Sequence, residues 1–309
     1  MAGAVAQVVA LGECMVELSL NGPATALVGY AGDTFNTAVY LQRLGRPTAY
    51  GTALGGGDPF SQAILGRMDQ EGVSRELVVE APNRLPGLYA ISRDAKGERT
   101  FYYWRGEAAA RDYFELVDPE KLRAALKAAA LVYLSAISLA VIGERGRAIL
   151  IPLLREVGEA GVPVAFDTNY RPKLWPDRQI ARAAIRATIG LSRYLSLGEA
   201  DLAAFEAGEG GPDAAALARE WAAKGVEVVL RYEDRRIEVL SGETVESFPP
   251  PAPISVVDTT GAGDAFNAAY LAARLGGQDV RAAVAAARRL AGIVVQHPGA
   301  IIPRTAMPD

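Results

Sequence analysis

From about Pro119 onward, helical stretches and short β-branched runs take turns, and this alternation constrains the chain more than any other feature. A helical stretch at Lys121 to Ala129 leads into the apolar run Ala130-Leu-Val-Tyr-Leu-Ser135. Glu144 to Ala160, closed by Gly161, leads into Val162-Pro-Val-Ala-Phe-Asp167. Asp177 to Ile189 precedes Tyr194-Leu-Ser196, and Glu199 to Ala207 with Asp213 to Lys224 precedes Val226-Glu-Val-Val-Leu230. A helix between successive strands returns the chain to the same sheet edge, so the strands run parallel and helices cover both faces. Earlier runs at Val5 to Leu11 and Thr48 to Leu54, with helices near Ala38 to Leu44 and Asp58 to Glu71, fit the same α/β sheet, and a last helix runs from Asp279 to Gln296. Arg236 to Leu240 and Glu243 to Phe248 read as an antiparallel pair around Ser241-Gly242.

Two regions break the pattern. Glu13 to Leu20 alternates polar and apolar residues, with Ala26 to Tyr30 as a partner strand. Leu85 to Ser92 and the aromatic-rich Glu98 to Arg105 read as two strands joined by a turn at Asp94-Ala-Lys-Gly97. They form a small sheet apart from the main one, expected as a lid over the cleft. We expect one α/β domain over 1–309, with the lid contributed by about 13–31 and 85–105.

Charge and rare residues exclude several functions. With 32 basic and 36 acidic residues the net charge is −4, and no basic stripe suits a nucleic acid. One cysteine, Cys14, excludes an internal disulfide and a Cys-rich zinc site. One histidine, His297, would have to serve any Ser-His-Asp triad, and no G-x-S-x-G supports one; a helix-end or nucleotide-adjacent packing role suits His297 better. No basic segment precedes an apolar core at the N-terminus, and no apolar run reaches about 18 residues, so a cytoplasmic protein without a membrane span is expected.

In sheets of this kind ligands bind beyond the C-terminal strand ends. Three polar clusters fall there: Asp167 to Arg171, Ser196 to Glu199, and Asp258 to Asp264. In the last, the extended run Ile254-Ser-Val-Val257 reads as a strand, followed by a glycine turn and a helix from Ala265 to Arg274. The N–H groups of Gly261, Ala262 and Gly263 open that helix without intrahelical partners, an arrangement suited to an anion such as phosphate. Asp264 is then either an ordinary acid of a helix first turn or a general base beside a phosphoryl group. Asp33 and Asn36, in Ala31-Gly-Asp-Thr-Phe-Asn-Thr-Ala38, are either helix caps or hydroxyl ligands.

Asp258-Thr-Thr-Gly-Ala-Gly-Asp264 together with Ala31 to Ala38 resembles the signature pair of the ribokinase-like (PfkB) sugar kinases, and the resemblance spans the whole chain. Gly12-Glu-Cys-Met-Val-Glu17, Asn83-Arg-Leu-Pro-Gly-Leu-Tyr89, Gly97-Glu-Arg-Thr-Phe-Tyr-Tyr-Trp-Arg105, Asp167-Thr-Asn-Tyr-Arg-Pro172 and Gly299-Ala-Ile-Ile-Pro-Arg304 narrow it to the 2-keto-3-deoxygluconate kinases. The resemblance implies a six-carbon sugar acid as substrate. Arg105 and Arg171 would clamp its carboxylate, Gly32, Asp33 and Asn36 its hydroxyls, with Asn169 also at the substrate and Tyr89 and Tyr103 as an apolar wall with polar tips. Asp264 would take the proton of the terminal hydroxyl, and the amides of Gly261, Ala262 and Gly263 would stabilise charge on the transferred phosphate. ATP would contact Ser196 and Arg231, Glu199 would link to Mg2+ through water, and the loop after Asp258 leaves room for a monovalent cation such as K+.

The chain departs from the family twice. Ser196 stands where asparagine is common. Arg231-Tyr-Glu-Asp-Arg-Arg236 has no glycine where the family carries Lys-x-Gly-x-x-Gly, so the family's nucleotide contacts do not carry over at this turn. Lid pairing into a homodimer, or a larger assembly of dimers, is also implied, with Met15 and Phe101 expected at the interface. Two other readings stay open. One is a related sugar or nucleoside kinase, which has less use for Arg105 and Arg171. The other is a sugar-acid-binding regulatory protein without turnover, favoured by the glycine-free turn and disfavoured by the intact Gly-Ala-Gly-Asp.

Overall fold

A computed structural model describes residues 6–22, 24–93, 99–206 and 213–308. The strands are β1 (Val8–Leu11), β2 (Met15–Leu20), β3 (Ala26–Ala31), β4 (Thr48–Gly55), β5 (Val78–Ala81), β6 (Leu88–Arg93), β7 (Arg99–Trp104), β8 (Leu131–Ser135), β9 (Val164–Asp167), β10 (Tyr194–Gly198), β11 (Glu227–Arg231), β12 (Ile237–Ser241) and β13 (Thr244–Phe248). One sheet runs β13-β12-β11-β10-β9-β8-β1-β4-β5. From β11 to β5 every pairing is parallel, and β12 and β13 close one edge as an antiparallel hairpin.

Both faces of this sheet are apolar because both are covered. Along β8, Val132 and Leu134 enter the core on one side, and Leu131 and Tyr133 enter the core on the other. The first core packs against helices such as Pro119–Lys127, Gly143–Glu159 and Arg178–Ile189. The second packs against Asp33–Arg43, Pro59–Glu71, Ala262–Leu275 and Val280–Val294. The alternate residues of each buried strand thus feed two cores, which produces the unbroken apolar runs seen in the sequence.

The second sheet has the order β3-β2-β6-β7, with β2–β6 parallel and the outer pairs antiparallel. Its register places Tyr89 opposite Tyr103 and Ile91 opposite Phe101, so these four side chains share one face. Met15 is buried with Ala31, Tyr89, Ile91 and Ala300. Met15 and Phe101, both expected at an interface, therefore belong to the face that carries Tyr89 and Tyr103; Met15 is buried within the chain and Phe101 is exposed. The alternate residues Val28, Tyr102 and Trp104 occupy the opposite face and are exposed.

Other expectations also change. Ile254 to Val257 is not a strand: it is irregular and exposed, with the Val257 and Asp258 amides donating to the Val295 carbonyl rather than to a neighbouring strand. The helices after the two glycine motifs begin earlier than expected, at Asp33 and Ala262. The strand β5 and the short helices Tyr113–Leu116 and Ala136–Val141 were not anticipated. The turn at 94–97 and Ala207 lie outside the described residues.

Candidate active site

The parallel strands deliver Gly12, Ser135, Asp167, Gly198 and Arg231 to one edge of the large sheet. Two helices start above that edge. At the first, Gly32 has the extended backbone of an N-cap, and a Cβ there would lie 2.0 Å from the Glu13 carbonyl oxygen. Asp33 makes no capping bond; its Oδ2 instead accepts from Asn169 Nδ2 at 3.0 Å. Asn36 accepts from the Gly32 amide at 3.4 Å and donates through Nδ2 to Asp264 Oδ2 at 2.8 Å. The simple capping reading of Asp33 is therefore set aside.

At the second helix, Gly261 is the N-cap, with φ +75°, a left-handed conformation in which a Cβ would also stand 2.5 Å from the Ala300 carbonyl oxygen. No side chain caps this helix. Asp258 braces the loop, its carboxylate accepting from the Thr260 amide at 2.7 Å and the Gly299 amide at 3.1 Å. Ala300 is fixed in turn by the Tyr40 hydroxyl, which donates to its carbonyl at 2.7 Å. The following residues are held by Arg43, which donates to Ile302 O at 2.7 Å and pairs with buried Glu71, and by Arg304, also on Glu71. This network accounts for the Gly299 to Arg304 motif: it seats the backbone against which the Gly261 turn forms.

Asp264 lies one residue beyond the glycine turn, 9% exposed. Burial, then the nearby Asp33 carboxylate, holds its carboxyl well above the ordinary range; the Asn36 bond pulls the other way, Asp167 adds to the rise and Arg231 opposes it. Asp167 is buried at the end of β9 and its pKa is pushed up to about 6, by burial first and against the attraction of Arg231. It accepts from Arg231 Nη2 at 3.2 Å and Asn267 Nδ2 at 2.9 Å. Asn267 in turn accepts from Ser196 Oγ at 2.8 Å. Asp167 and Asn267, which the sequence reading did not single out, thus join Ser196 and Arg231 in one network. Asp167 was legible only as part of the polar cluster at its strand end.

The residues expected to hold the substrate fall into two groups. Arg105 pairs with buried Glu13, and its guanidinium lies 6.0 Å from the Tyr103 ring centre. Tyr103 lies 5.9 Å from Tyr89, ring centre to ring centre. The Tyr89 hydroxyl donates to Glu17, so this ring offers a wall but its polar tip is already engaged. Burial raises the Glu13 carboxyl, Arg105 opposes that, and the nearby Asp33 carboxylate adds to the rise. Arg171 is separate and half exposed, donating to Tyr170 O at 3.1 Å and lying 3.9 Å from Asp201.

The turn after β11, expected against the nucleotide, has its own scaffold. Arg235 takes the left-handed backbone, φ +70°, where a glycine would be usual. Arg236 stacks 3.6 Å from the Tyr232 ring centre, and Tyr232 donates to Glu238 at 2.8 Å. Glu199 accepts from the Glu233 amide at 3.2 Å. His297 Nδ1 lies 2.9 Å from the Ile293 carbonyl at the end of the last helix, a packing position.

The pfkB family carbohydrate kinase profile matches residues 5–307. The 2-dehydro-3-deoxygluconokinase of Dickeya dadantii (strain 3937) is 41% identical over 308 residues, covering 96% of this chain and 97% of its own. The enzyme of the same name from Escherichia coli (strain K12) is 40% identical, covering 98% and 99%. An E. coli protein assigned as a ribokinase II, solved in complex with ATP and magnesium, superposes with a TM-score of 0.81 at 20% identity over 96% of this chain and 94% of its own. The ribokinase-like fold, the glycine-turn helix and these matches agree, and the chain belongs to the pfkB family of carbohydrate kinases.

Proposed function

We propose that the protein transfers the terminal phosphoryl group of ATP to the terminal hydroxyl of 2-dehydro-3-deoxygluconate, the 2-keto acid of the sequence reading, giving 2-keto-3-deoxy-6-phosphogluconate. The observation that carries this is Asp264: a buried carboxylate, raised in pKa, held by Asn36 beside a helix N-terminus with no capping side chain. A carboxylate raised this way is a stronger base than a free one, which narrows its gap to an alcohol. The hydroxyl oxygen bonds to phosphorus, the bond from phosphorus to the β-phosphate oxygen breaks with its electron pair leaving on ADP, and the hydroxyl proton passes to Asp264. The amides of Gly261 and Gly263 face the charge on the transferred group, whereas the Ala262 amide, expected beside them, already donates to the Thr259 carbonyl at 3.3 Å.

Relatives named 2-dehydro-3-deoxygluconokinase support the sugar acid. In this reading Asp33, Asn36, Asn169 and the Gly32 backbone hold hydroxyls, Tyr89 and Tyr103 form the wall, and Arg171 is the principal carboxylate clamp because Arg105 is already paired with Glu13. The related complex with ATP and magnesium supports both as the donor pair. Magnesium supplies charge neutralisation between the phosphates. Among the described residues no three acidic, histidine or cysteine side chains form a metal cage. That suits an ion held by phosphates and water, with Glu199 the residue that would hold it. Asp258 already accepts backbone amides on its carboxylate. This gives no separate argument for a monovalent cation such as K+, and no step depends on one.

The small sheet then acts as a lid within a single domain. We assign its outer face, with exposed Val28, Tyr102 and Trp104, to a homodimer through the lids. A cytoplasmic setting fits a kinase that uses ATP, and no helix among the described residues is long and apolar enough to cross a membrane. The test is a magnesium–ATP assay against 2-dehydro-3-deoxygluconate, gluconate, fructose, ribose and a nucleoside. Turnover confined to the sugar acid supports the reading. Preference for a neutral sugar or nucleoside moves the chain to another kinase of the family, and binding without turnover makes it a regulatory protein.

A further inference from the structure

Three carboxylates, Asp33, Asp167 and Asp264, gather where a triphosphate would have to end, and each of the other two raises Asp264. Arg231 is the cation whose charge acts on both Asp264 and Asp167. Its place is set by the sheet. Across β10, Ser196 is in register with Asp167, and Gly198, two residues further on, with Arg231. One Arg231 nitrogen, Nη2, binds Asp167 Oδ1 at 3.2 Å. Another, Nη1, lies 3.2 Å from where a Gly263 Cβ would stand, so the guanidinium crosses the first turn of the helix Ala262–Leu275. The group sits 6.0 Å from the Phe266 ring centre. Its Nε is buried with no hydrogen-bond partner. The Nε atoms of Arg67, Arg105 and Arg288 are left the same way, so what sets Arg231 apart is its place beside the first turn of a helix that no side chain caps.

We propose that Arg231 is the cationic residue that stabilises the transferred phosphoryl group, and that Asp167 is a positioning residue holding its guanidinium across the helix N-terminus. This rests on the kinase reading given above and assigns these residues a step within it. In the transfer described there, Arg231 neither gives nor takes a proton. Its charge faces the equatorial phosphoryl oxygens, where negative charge is held as the bond to ADP breaks. A contact of that kind acts mainly on kcat, since it is strongest in the transition state. It also gives a role to the strand-end arginine that precedes the glycine-free turn.

The experiment compares the parent with Arg231→Ala, Arg231→Lys and Asp167→Asn in steady-state kinetics with magnesium–ATP and the best sugar acid, with and without added guanidinium chloride. Arg231→Ala should lower kcat about 10²–10³-fold, the size of losing one transition-state donor, with KM for the sugar acid changed less than about threefold. Guanidinium should restore part of that loss in Arg231→Ala and none in Asp264→Asn. Asp167→Asn should lower kcat about 10–100-fold, as loss of an orienting partner does, and gain nothing from guanidinium because the arginine remains. Arg231→Ala at near-parent kcat, or a loss confined to KM for ATP, overturns the inference. If Arg231→Ala does not fold, Arg231→Lys decides, and parent-level kcat in it overturns the inference equally. An active parent with unaffected variants refutes this inference alone; a parent inert to every sugar acid refutes the function and the inference with it.

Discussion

Asn36 Nδ2 donates to Asp264 Oδ2 across 2.8 Å, joining the first turns of two helices that are 228 residues apart in sequence. The bond favours the ionised form of a carboxylate that burial and Asp33 otherwise push up. Asn36→Ala should therefore raise the Asp264 pKa further and move the acid limb of the kcat/KM profile to higher pH. A limb that stays in place, or moves to lower pH, contradicts the pairing.

Arg171 and Arg105 should differ in what their loss does. Arg171 is half exposed, and its contacts are a neighbouring carbonyl and a 3.9 Å approach to Asp201. Arg171→Ala should raise KM for the sugar acid at least about tenfold, the loss of a charged hydrogen bond, while leaving Tm nearly unchanged. Arg105 pairs with a buried glutamate, so Arg105→Ala strands that carboxylate and should destabilise the fold by about 3–5 kcal/mol. Thermal melts of the two variants decide it: equal melting temperatures would be wrong for this arrangement.

Asp167 carries a pH signature in stability. Its carboxyl stands at about 6 against a usual 3.8. A raised carboxyl contributes most to stability when protonated in both states, below about pH 4, and that contribution is lost as pH rises through about 6. Two pH units correspond to about 3 kcal/mol. Asp167→Asn lacks this titration, so its melting temperature relative to the parent should climb between about pH 4 and 7. A gap independent of pH, measured by scanning fluorimetry, would show that Asp167 is not raised.

The outer face of the small sheet exposes Trp104 (62%) and Tyr102 (49%). Trp104→Glu with Tyr102→Lys should convert a dimer to a monomer in light scattering, whereas Phe101, on the face that carries Tyr103, should not be needed for pairing. A parent that is monomeric at micromolar concentration removes the lid-pairing assignment.

Much of this was readable in the sequence because it is periodic or rests on glycine. The two-sided core shows as unbroken apolar runs, and the small sheet shows as alternation, with Met15, Glu17 and Ser19 on one face. Alternation gives parity but not which face turns inward. Met15 proves buried within the chain for that reason, while Phe101, two residues from Tyr103 and so on the same face, stays exposed. The run Ile254 to Val257 has strand composition but no strand edge to join, which only the tertiary arrangement decides. Asp33 looked like a helix cap because caps are local, whereas its actual partner, Asn169, is 136 residues away. The Asp167–Arg231–Asn267 network has no sequence signal beyond polar residues at two strand ends, and Asn267 comes from the helix Ala262–Leu275.

The most direct test of the account compares turnover of 2-dehydro-3-deoxygluconate by the parent and by Asp264→Asn under saturating magnesium–ATP, with sugar-acid affinity measured on both. The shape of the site is kept while the base is removed. The parent should turn over rapidly, the variant should be slower by about 10²–10⁴-fold, and both should bind the sugar acid similarly. A variant with near-parent kcat would contradict this.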